Sequence, residues 1–396
     1  MISQADINFM QIALNLAKRG IYSTSPNPRV GCVLVNSQQQ ILAQAWHHFA
    51  GQLHAEANAL ADLQQKNISP ETQNITAYIT LEPCSHYGKT PPCADALIAA
   101  KIKRAVIAIV DNNPNVAGKG IAKLKAANIE VDIFPQNFDD QIYQQAYELN
   151  RGFFQRMQKN MAFIRSKIAA SLDGRTALQN GESKWISNEK SRLDVQKIRA
   201  ESCAILTGIG TILADNPTMN VRNIEQNFNT LEVKQPLQII FDSNFRIPLN
   251  SNILQKNQKV IIVGNEISQN SQNSQNSQNS QNSKNKNIEA FQNLQNVDLI
   301  FKKNNQNLVE ILQILTEKYQ LNNILLEAGQ TLNGSFLQQN LIDEMIIYFA
   351  AKFLGNNSRG MFSQNTFLSP SLQQENFYFH SSDLLDNNLK IVLRKK

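Results

Sequence analysis

Two stretches of sequence decide the fold of the first half of the chain: residues 54–56, HAE, and residues 80–93, TLEPCSHYGKTPPC. They contain one imidazole and two thiols, those of His54, Cys84 and Cys93. Three protein ligands leave a fourth position open to water, as in catalytic zinc sites. His54 and Cys93 each lie where a predicted helix begins, and the partial positive charge there favours thiolate and hydroxide. The sequence therefore predicts a catalytic zinc site.

Glu56 is the residue that we expect to move protons at this site. Two positions apart on a helix, His54 and Glu56 diverge by about 200°, so Glu56 is not a further ligand. From the first turn its carboxylate can reach a metal-bound water and pass a proton to a departing amine. These parts predict a hydrolytic deaminase acting on an amino-pyrimidine or a similar ring. A lone His-x-Glu motif is common, and two cysteines can simply be buried in a core, but the combination indicates zinc. Cys32 lies inside an apolar strand and is expected to belong to the core.

Strands alternate with short helices along the chain, which predicts two α/β domains. A polar helical stretch, residues 137–160, marks the junction. We therefore expect a zinc-dependent deaminase domain at residues 1–148 and a second α/β domain at residues 149–396. A tract of Ser-Gln-Asn repeats, residues 268–287, has no apolar residue that could offset the entropy of ordering it. We expect a disordered surface insertion there, with a binding or self-association role left open.

The composition is that of a globular protein. The chain has 396 residues, of which 42% are hydrophobic and 18% charged, and a mean hydropathy of −0.34, which excludes global disorder. No window approaches the ~18 apolar residues of a membrane helix, and residues 1–9 lack a signal-peptide pattern, so we expect a cytoplasmic protein without a membrane partner. The net charge of +6 is spread along the chain, which suits an anionic small substrate rather than nucleic acid. Four cysteines in a chain of this length are no disulfide scaffold.

The second half has no Gly-x-Gly-x-x-Gly at a strand-to-helix turn and thus no ordinary dinucleotide fingerprint. Two glycine-containing stretches follow apolar strands instead: residues 206–217, LTGIGTILADNP, and residues 326–334, LEAGQTLNG. Backbone amides at such turns can hold phosphate oxygens. Arg199 and Arg222 can make bidentate contacts with a phosphate. Glycines after strands are as often plain turns, so the residues alone leave phosphate binding open.

The first half resembles the deaminase domain of the bifunctional riboflavin-biosynthesis enzymes, the diaminohydroxyphosphoribosylaminopyrimidine deaminases / 5-amino-6-(5-phosphoribosylamino)uracil reductases. Nucleic-acid deaminases have a shorter spacing between their two cysteines, whereas eight residues, 85–92, separate them here. The resemblance also rests on residues 24–33, TSPNPRVGCV. It implies a cytidine-deaminase-like three-layer α/β/α fold with the zinc ligands and proton carrier given above. It further implies a substrate mouth that contains Asn27, His86, Lys89 and Thr90. The loop histidines His47, His48 and His86 either bind substrate or are merely exposed.

The second half resembles the reductase half of the same enzymes, a dihydrofolate-reductase-like α/β domain that uses NADPH. The resemblance extends from residues 167–187 to residues 351–360 and so covers nearly the whole chain; Ala351, where the family usually has proline, and the repeat tract are departures. NADPH is expected to contact Ala169, Trp185, Thr211, Asp215, Gly329, Gln330, Thr331, Leu332, Asn333, Gly334 and Ser335. Substrate is expected to contact Ser183, Arg199, Met219, Arg222 and Glu327. The polar groups expected to take part in the reduction are Lys167, Asp215 and Glu327.

The sequence thus predicts a bifunctional enzyme that uses Zn²⁺ and NADPH on a phosphorylated pyrimidine and forms a homo-oligomer. It would first deaminate 2,5-diamino-6-(5-phosphoribosylamino)pyrimidin-4(3H)-one and then reduce the ribosyl side chain. The alternative is a nucleoside or nucleic-acid deaminase with an appended RNA-binding domain, for which an aromatic fraction of 7% and scattered basic residues are unfavourable. A third hypothesis is an inactive scaffold that interacts through the repeats; the intact ligand set argues against it.

Overall fold

The chain folds into two compact units, Met1–Met161 and Ala162–Lys396, in a computed structural model. The structure describes residues 2–70, 73–87, 91–113, 116–182, 186–224, 228, 232–255, 257–266, 275–303, 306–363 and 377–396. The boundary expected after residue 148 falls inside the helix Gln141–Lys159. That helix buries Leu149, Phe153 and Phe154 in the first core, so it is part of the first unit rather than a junction.

The first unit is a five-stranded sheet with helices packed on it. Its strands are β1 (Gly31–Val35), β2 (Ile41–Trp46), β3 (Thr76–Ile79), β4 (Arg104–Ile107) and β5 (Glu130–Ile133). The sheet order is β2-β1-β3-β4-β5; β1 is antiparallel to β2 and β3, whereas β3, β4 and β5 are parallel. The helices are α1 (Gln4–Arg19), α2 (Ala55–Gln65), α3 (Cys93–Ala99), α4 (Lys119–Ala126) and α5 (Gln141–Lys159). α1 packs against α5, and α3 packs against both α2 and α4. Every residue of β1 is buried, including Cys32.

Asp6 joins the start of α1 to the sheet. Ser3 and Asp6 form a capping box, in which Asp6 N donates to Ser3 Oγ at 3.2 Å and Ser3 N donates to Asp6 Oδ2 at 2.8 Å. The same carboxylate accepts hydrogen bonds from Arg104 Nη1 at 2.7 Å and from Tyr78 Oη at 2.8 Å. A buried charge is tolerated when it is paired and fully hydrogen-bonded, as this one is.

The second unit is built on a nine-stranded, mostly parallel sheet. Its strands are β6 (Phe163–Ser171), β8 (Ala204–Gly208), β9 (Leu237–Phe241), β10 (Val260–Asn265), β11 (Val297–Lys302), β12 (Asn323–Leu326), β13 (Glu344–Ala350), β15 (Phe377–Leu385) and β16 (Asn388–Lys395), and β7 (Arg175–Ala177) pairs with β14 (Arg359–Gly360) in a small sheet. The order is β11-β10-β9-β8-β12-β6-β13-β16-β15; the first seven strands in this order are parallel, and β16 is antiparallel to both neighbours. The helices are α6 (Glu189–Glu201), α7 (Ile209–Asp215), α8 (Gln275–Gln292), α9 (Leu308–Tyr319) and α10 (Gln330–Gln338). Among the described residues, no helix combines the length and the apolar character needed to cross a bilayer.

The repeat tract differs from its expectation. Residues 268–274 lie outside the described residues, and residues 275–287 belong to α8, so the expected disorder is wrong for this part. The reason is at the far end of the helix, where Ile288 and Phe291 are buried in the second core. Apolar anchors beyond the repeats thus stabilise a helix that the composition of the repeats alone would not.

Candidate active sites

His54, Cys84 and Cys93 converge in the first unit. His54 is the N-cap residue of α2, Cys93 is the first residue of α3, and Cys84 follows β3. The ligand atoms His54 Nδ1, Cys84 Sγ and Cys93 Sγ lie within 4.8 Å of one another. His54 Nδ1 is 3.6 Å from Cys84 Sγ and 3.3 Å from Cys93 Sγ. In a tetrahedral zinc site, bond lengths of about 2.3 Å to sulfur and 2.1 Å to nitrogen separate these atoms by about 3.6 Å. The donor set therefore fits a zinc ion.

The electrostatics of the Cys84 thiol suit a metal site, whereas the contact with Cys84 and then burial raise the pKa of the Cys93 thiol. Cys93 N donates a hydrogen bond to Cys84 Sγ at 3.3 Å, at the positive end of α3. The contact with Cys93 and then that with His54 lower the pKa of the Cys84 thiol, although burial opposes this. A thiolate at Cys84 is therefore favoured, and thiolate is the form that binds metal.

Glu56 lies beside this donor set in the first turn of α2 and is only 3% exposed. Burial, followed by the neighbouring Cys84, raises the pKa of the Glu56 carboxyl to about 7. A carboxyl group that exchanges its proton near neutral pH is suited to general acid–base chemistry.

Glu82 fixes the loop that carries Cys84, a role that the sequence analysis missed. Its buried carboxylate accepts four backbone hydrogen bonds of 2.9–3.2 Å, from the N–H groups of Asp111, Gly118, Gly120 and Ile121. Two of these donors lie in the first turn of α4, whose N-terminal dipole also favours a carboxylate. The only sequence signal was a glutamate directly before Pro83-Cys84, which by itself does not distinguish a surface charge from a buried anchor.

His47 orients the side chain of Asn27. His47 Nδ1 lies 2.9 Å from the carbonyl oxygen of Leu53, which can only accept, so Nδ1 carries the proton. Nε2, 2.9 Å from Asn27 Nδ2, is then the acceptor. Burial lowers the pKa of His47 to about 4, which keeps the ring neutral. The Asn27 amide therefore turns its N–H toward His47, and Oδ1 is its remaining acceptor. His86 is exposed, and Lys89 and Thr90 lie outside the described residues.

In the second unit, three of the expected residues form one ionic cluster around the buried Glu327. Glu327, directly after β12, is held by Arg199 of α6, with Nε–Oε1 at 2.6 Å and Nη2–Oε2 at 3.0 Å. Lys167 of β6 places Nζ 3.0 Å from Glu327 Oε2. Burial opposes ionisation of Glu327, but Arg199 and Lys167 hold the pKa of its carboxyl well below its usual range. Arg222 lies close enough to Arg199 for the two charges to repel each other, and this repulsion adds to burial in lowering the pKa of Arg222.

The remaining reductase residues are distributed around the carboxyl ends of neighbouring parallel strands. β8 and β12 are adjacent, and each leads through Gly208 or Gly329 into a helix whose N-cap glycine offers no capping side chain. Ligands of open α/β sheets bind at this edge. Thr211 lies in α7, while Asp215 is exposed at its end and is not part of the ionic cluster. Ala169 is two positions from Lys167 on β6 and Met219 is buried, whereas Ser183 and Trp185 lie outside the described residues.

Residues 329–335, expected to form a turn, are the N-cap and first turns of α10, and two of their side chains bond within the protein. The buried Asn333 donates from Nδ2 to the carbonyl oxygen of Ala328 at 2.6 Å and accepts from Ser166 Oγ at 2.8 Å. Ser335 Oγ donates to the carbonyl oxygen of Thr331 at 3.0 Å. These two side chains are used within the protein, whereas the first backbone N–H groups of α10 point out of the helix end.

Comparison with known proteins agrees with this geometry. Residues 3–109 match the family "Cytidine and deoxycytidylate deaminase zinc-binding region", and residues 162–385 match the family "RibD C-terminal domain". A zinc-binding deaminase unit joined to a reductase unit defines a bifunctional deaminase–reductase.

Full-length relatives identify the family. The chain is 39% identical to riboflavin biosynthesis protein RibD of Buchnera aphidicola, over 98% of both chains, and 39% identical to RibD of Escherichia coli, over 90% of both. A structure of Acinetobacter baumannii RibD covers 99% of each chain at 39% identity with a TM-score of 0.84. The chain belongs to the RibD family of riboflavin-biosynthesis enzymes, which confirms the expected family and two-domain α/β fold. The alternative hypothesis of an appended RNA-binding domain is wrong, because the second unit is a RibD reductase domain.

Proposed function

We propose that this chain carries out two successive steps with zinc and NADPH as cofactors. The first is hydrolytic deamination of 2,5-diamino-6-(5-phosphoribosylamino)pyrimidin-4(3H)-one, and the second is reduction of the ribosyl side chain of the product to give 5-amino-6-(5-phosphoribitylamino)uracil. The observation that carries the proposal is the convergence of His54, Cys84 and Cys93 next to the buried Glu56. A Thermotoga maritima protein, 26% identical with a TM-score of 0.79 over 99% of each chain, is named for both activities.

In the deaminase site, His54, Cys84 and Cys93 would hold zinc, which when bound lowers the pKa of a water molecule toward about 7. Glu56 takes a proton from the attacking water and delivers it to the departing amino group, which leaves as ammonia. Its burial keeps that proton from bulk solvent. Asn27, oriented by His47, presents Oδ1 to a hydrogen-bond donor of the pyrimidine.

In the reductase site, NADPH when bound supplies a hydride to C1′ of the ribosyl group. The C1′–O4′ bond breaks in this step, and O4′ requires a proton to become a hydroxyl. We assign that proton to Lys167, whose ammonium is held by Glu327 Oε2 at 3.0 Å. Arg199 directs its Nε and Nη2 donors to Glu327, and we assign the substrate phosphate to Arg222, whose guanidinium lies within electrostatic reach of both residues.

The test is to supply the aminopyrimidine phosphate with and without NADPH and to identify the products by mass. Replacement of an amino group by oxygen is expected in both reactions, and a further gain of two hydrogens only with NADPH. A product that gains hydrogens without losing ammonia, or no change in either reaction, would contradict the proposal.

We also propose a cytoplasmic location and a homo-oligomeric state. Free thiols that bind zinc are maintained in a reducing compartment, which supports the first. β15 is an edge strand that exposes Tyr378, Phe379 and Leu384, and an exposed apolar edge favours association, which supports the second. Sedimentation of the zinc-loaded protein at several concentrations tests the oligomeric state.

A further inference from the structure

The loop that presents Asn27 is tied to two places in the first unit. One attachment is to the segment that carries His47 and His48. Thr24 Oγ1 donates to the carbonyl oxygen of His47 at 2.8 Å, and Ser23 Oγ donates to that of His48 at 2.7 Å. Asn27 N donates to the carbonyl oxygen of Thr24 at 3.2 Å, which closes a turn. The other side of the loop is held by α5.

Asn150 of α5 makes a reciprocal pair of hydrogen bonds with the backbone of Arg29. Arg29 N donates to Asn150 Oδ1 at 2.7 Å, and Asn150 Nδ2 donates to the carbonyl oxygen of Arg29 at 2.9 Å. The Asn150 side chain is buried, with 3% exposed, so water cannot readily take the place of its amide in these two hydrogen bonds. The side-chain amide thus acts as a strand partner for one residue of the loop.

Two arginines add to this attachment. Arg156 Nη2, about 1.7 turns further along α5, donates to the carbonyl oxygen of Pro26 at 3.0 Å. Arg29 Nη1 donates to the carbonyl oxygen of Leu149 at 2.8 Å, and its Nη2 donates to that of Ile21 at 3.1 Å. The residues on either side of Asn27, Pro26 and Arg29, are therefore both bonded to α5.

We infer that Asn150 and Arg156 are positioning residues of the deaminase site, which act on substrate through Asn27. This rests on the proposed contact between Asn27 and the pyrimidine. No hydrogen bond or ion pair that the structure describes joins Asn150 or Arg156 to His54, Cys84 or Cys93, so their removal is expected to weaken substrate binding and leave metal binding intact. α5 then contributes to substrate binding by the deaminase site and does more than connect sequence segments.

The test compares Asn150→Asp, which keeps an acceptor for Arg29 N but removes the donor to its carbonyl, with Gln145→Leu. Gln145 lies on the same helix and makes a reciprocal amide pair with the side chain of Gln11 of α1, at 3.0 and 3.1 Å. We expect Asn150→Asp to raise KM for deamination about tenfold or more, as loss of a buried hydrogen bond predicts, with kcat nearly unchanged. Zinc content and reduction of previously deaminated substrate should equal those of the wild type, and Gln145→Leu should leave KM unchanged.

Amide hydrogen exchange gives a readout that needs no substrate. Residues 20–29 should exchange faster in Asn150→Asp than in Gln145→Leu or the wild type, while residues 54–60 should not. Unchanged exchange, an unchanged KM, or equal loss of zinc and both activities would overturn the inference. Arg156→Met, which removes the bond to Pro26 and keeps an unbranched apolar side chain, carries the same test if Asn150→Asp does not fold. Failure of the wild type to deaminate the aminopyrimidine would instead count against the proposed function, and the exchange result would still decide the role of α5.

Discussion

A methyl group on Gly120 would lie 2.0 Å from the carbonyl oxygen of Pro83. The first turn of α4 therefore contacts the backbone directly before the zinc-ligand candidate Cys84. Glu82 completes the contact, since its carboxylate accepts from Gly120 N at 2.9 Å. Backbone proximity and charge together hold the Cys84 loop in place.

Gly120→Ala is expected to weaken zinc binding about 10–100-fold, the range typical of groups that support metal ligands. The added methyl group must push Pro83, and with it Cys84, away from its position. Transfer of zinc to a chromogenic chelator measures the effect. Ala122→Gly on the exposed side of the same helix lowers helix propensity by roughly 1 kcal/mol without touching Pro83, and should retain zinc as the wild type does. Equal zinc loss in both variants would show that helix stability alone is responsible.

Glu56→Gln is expected to lower the rate of deamination by about 10²–10⁴-fold, because an amide cannot carry the proton. Zinc content should not change, since Glu56 is outside the ligand set. Ammonia release measures the first activity, and NADPH oxidation on previously deaminated substrate measures the second. Loss of both activities would contradict a model with two separate sites.

Glu327→Gln is expected to abolish reduction and to destabilise the second unit by about 3 kcal/mol, the low end for a buried ion pair, because Arg199 and Lys167, with side chains 12% and 18% exposed, lose their counter-charge. Deamination should persist, because its site lies in the first unit. Glu201→Gln is the control: Glu201 pairs with Arg165 at 3.2 Å, but Arg165 keeps Glu344 at 2.6 Å. NADPH oxidation and thermal unfolding of both variants decide the matter, and a Glu327→Gln enzyme that still reduces its substrate would refute the assignment.

Asp6 is expected to make the first unit sensitive to acid. Burial alone would raise the pKa of its carboxyl, but hydrogen bonds from Arg104, Ser3 and Tyr78 hold it well below its usual range. The unfolded chain therefore binds a proton at higher pH than the folded one. The stabilisation is complete above the unfolded pKa of about 4 and is lost as the pH falls toward the lower, folded pKa. Denaturant unfolding should be measured at several pH values between about 6 and 3, a range that spans the unfolded pKa of Asp6. The free energy of unfolding should fall less over this range in Asp6→Asn than in the wild type.

The sequence was most informative where chemistry is local or carried by a recognisable motif. The spacing of His54, Cys84 and Cys93 predicted a cluster that the structure brings together, and Glu56 lies beside it as expected. It was least informative where function depends on long-range pairing. Asn150 is 121 positions from Arg29 and looks like any asparagine in a polar helix. Glu82 was visible but had no assignable partner, because its donors are backbone groups that carry no side-chain signature.

The boundary expected after residue 148 was wrong for a related reason. Polar residues on α5 suggested a junction, but helices bury only one face, and Leu149, Phe153 and Phe154 occupy the buried face of this one. In α8, the buried Phe291 lies beyond the repeats, so the composition of the repeats alone could not predict that the helix is anchored there.

The placement of β6 has a consequence for how the polypeptide acquires its shape during synthesis. β6 opens the second unit, yet its neighbours in the sheet, β12 and β13, begin at Asn323 and Glu344. Its edges stay unpaired until most of the chain has left the ribosome, and closing so long a loop is slow. The first unit contains all of its own strands and can complete folding earlier. We therefore expect the nascent second unit, rather than the first, to be the client of chaperones that shield exposed strand edges.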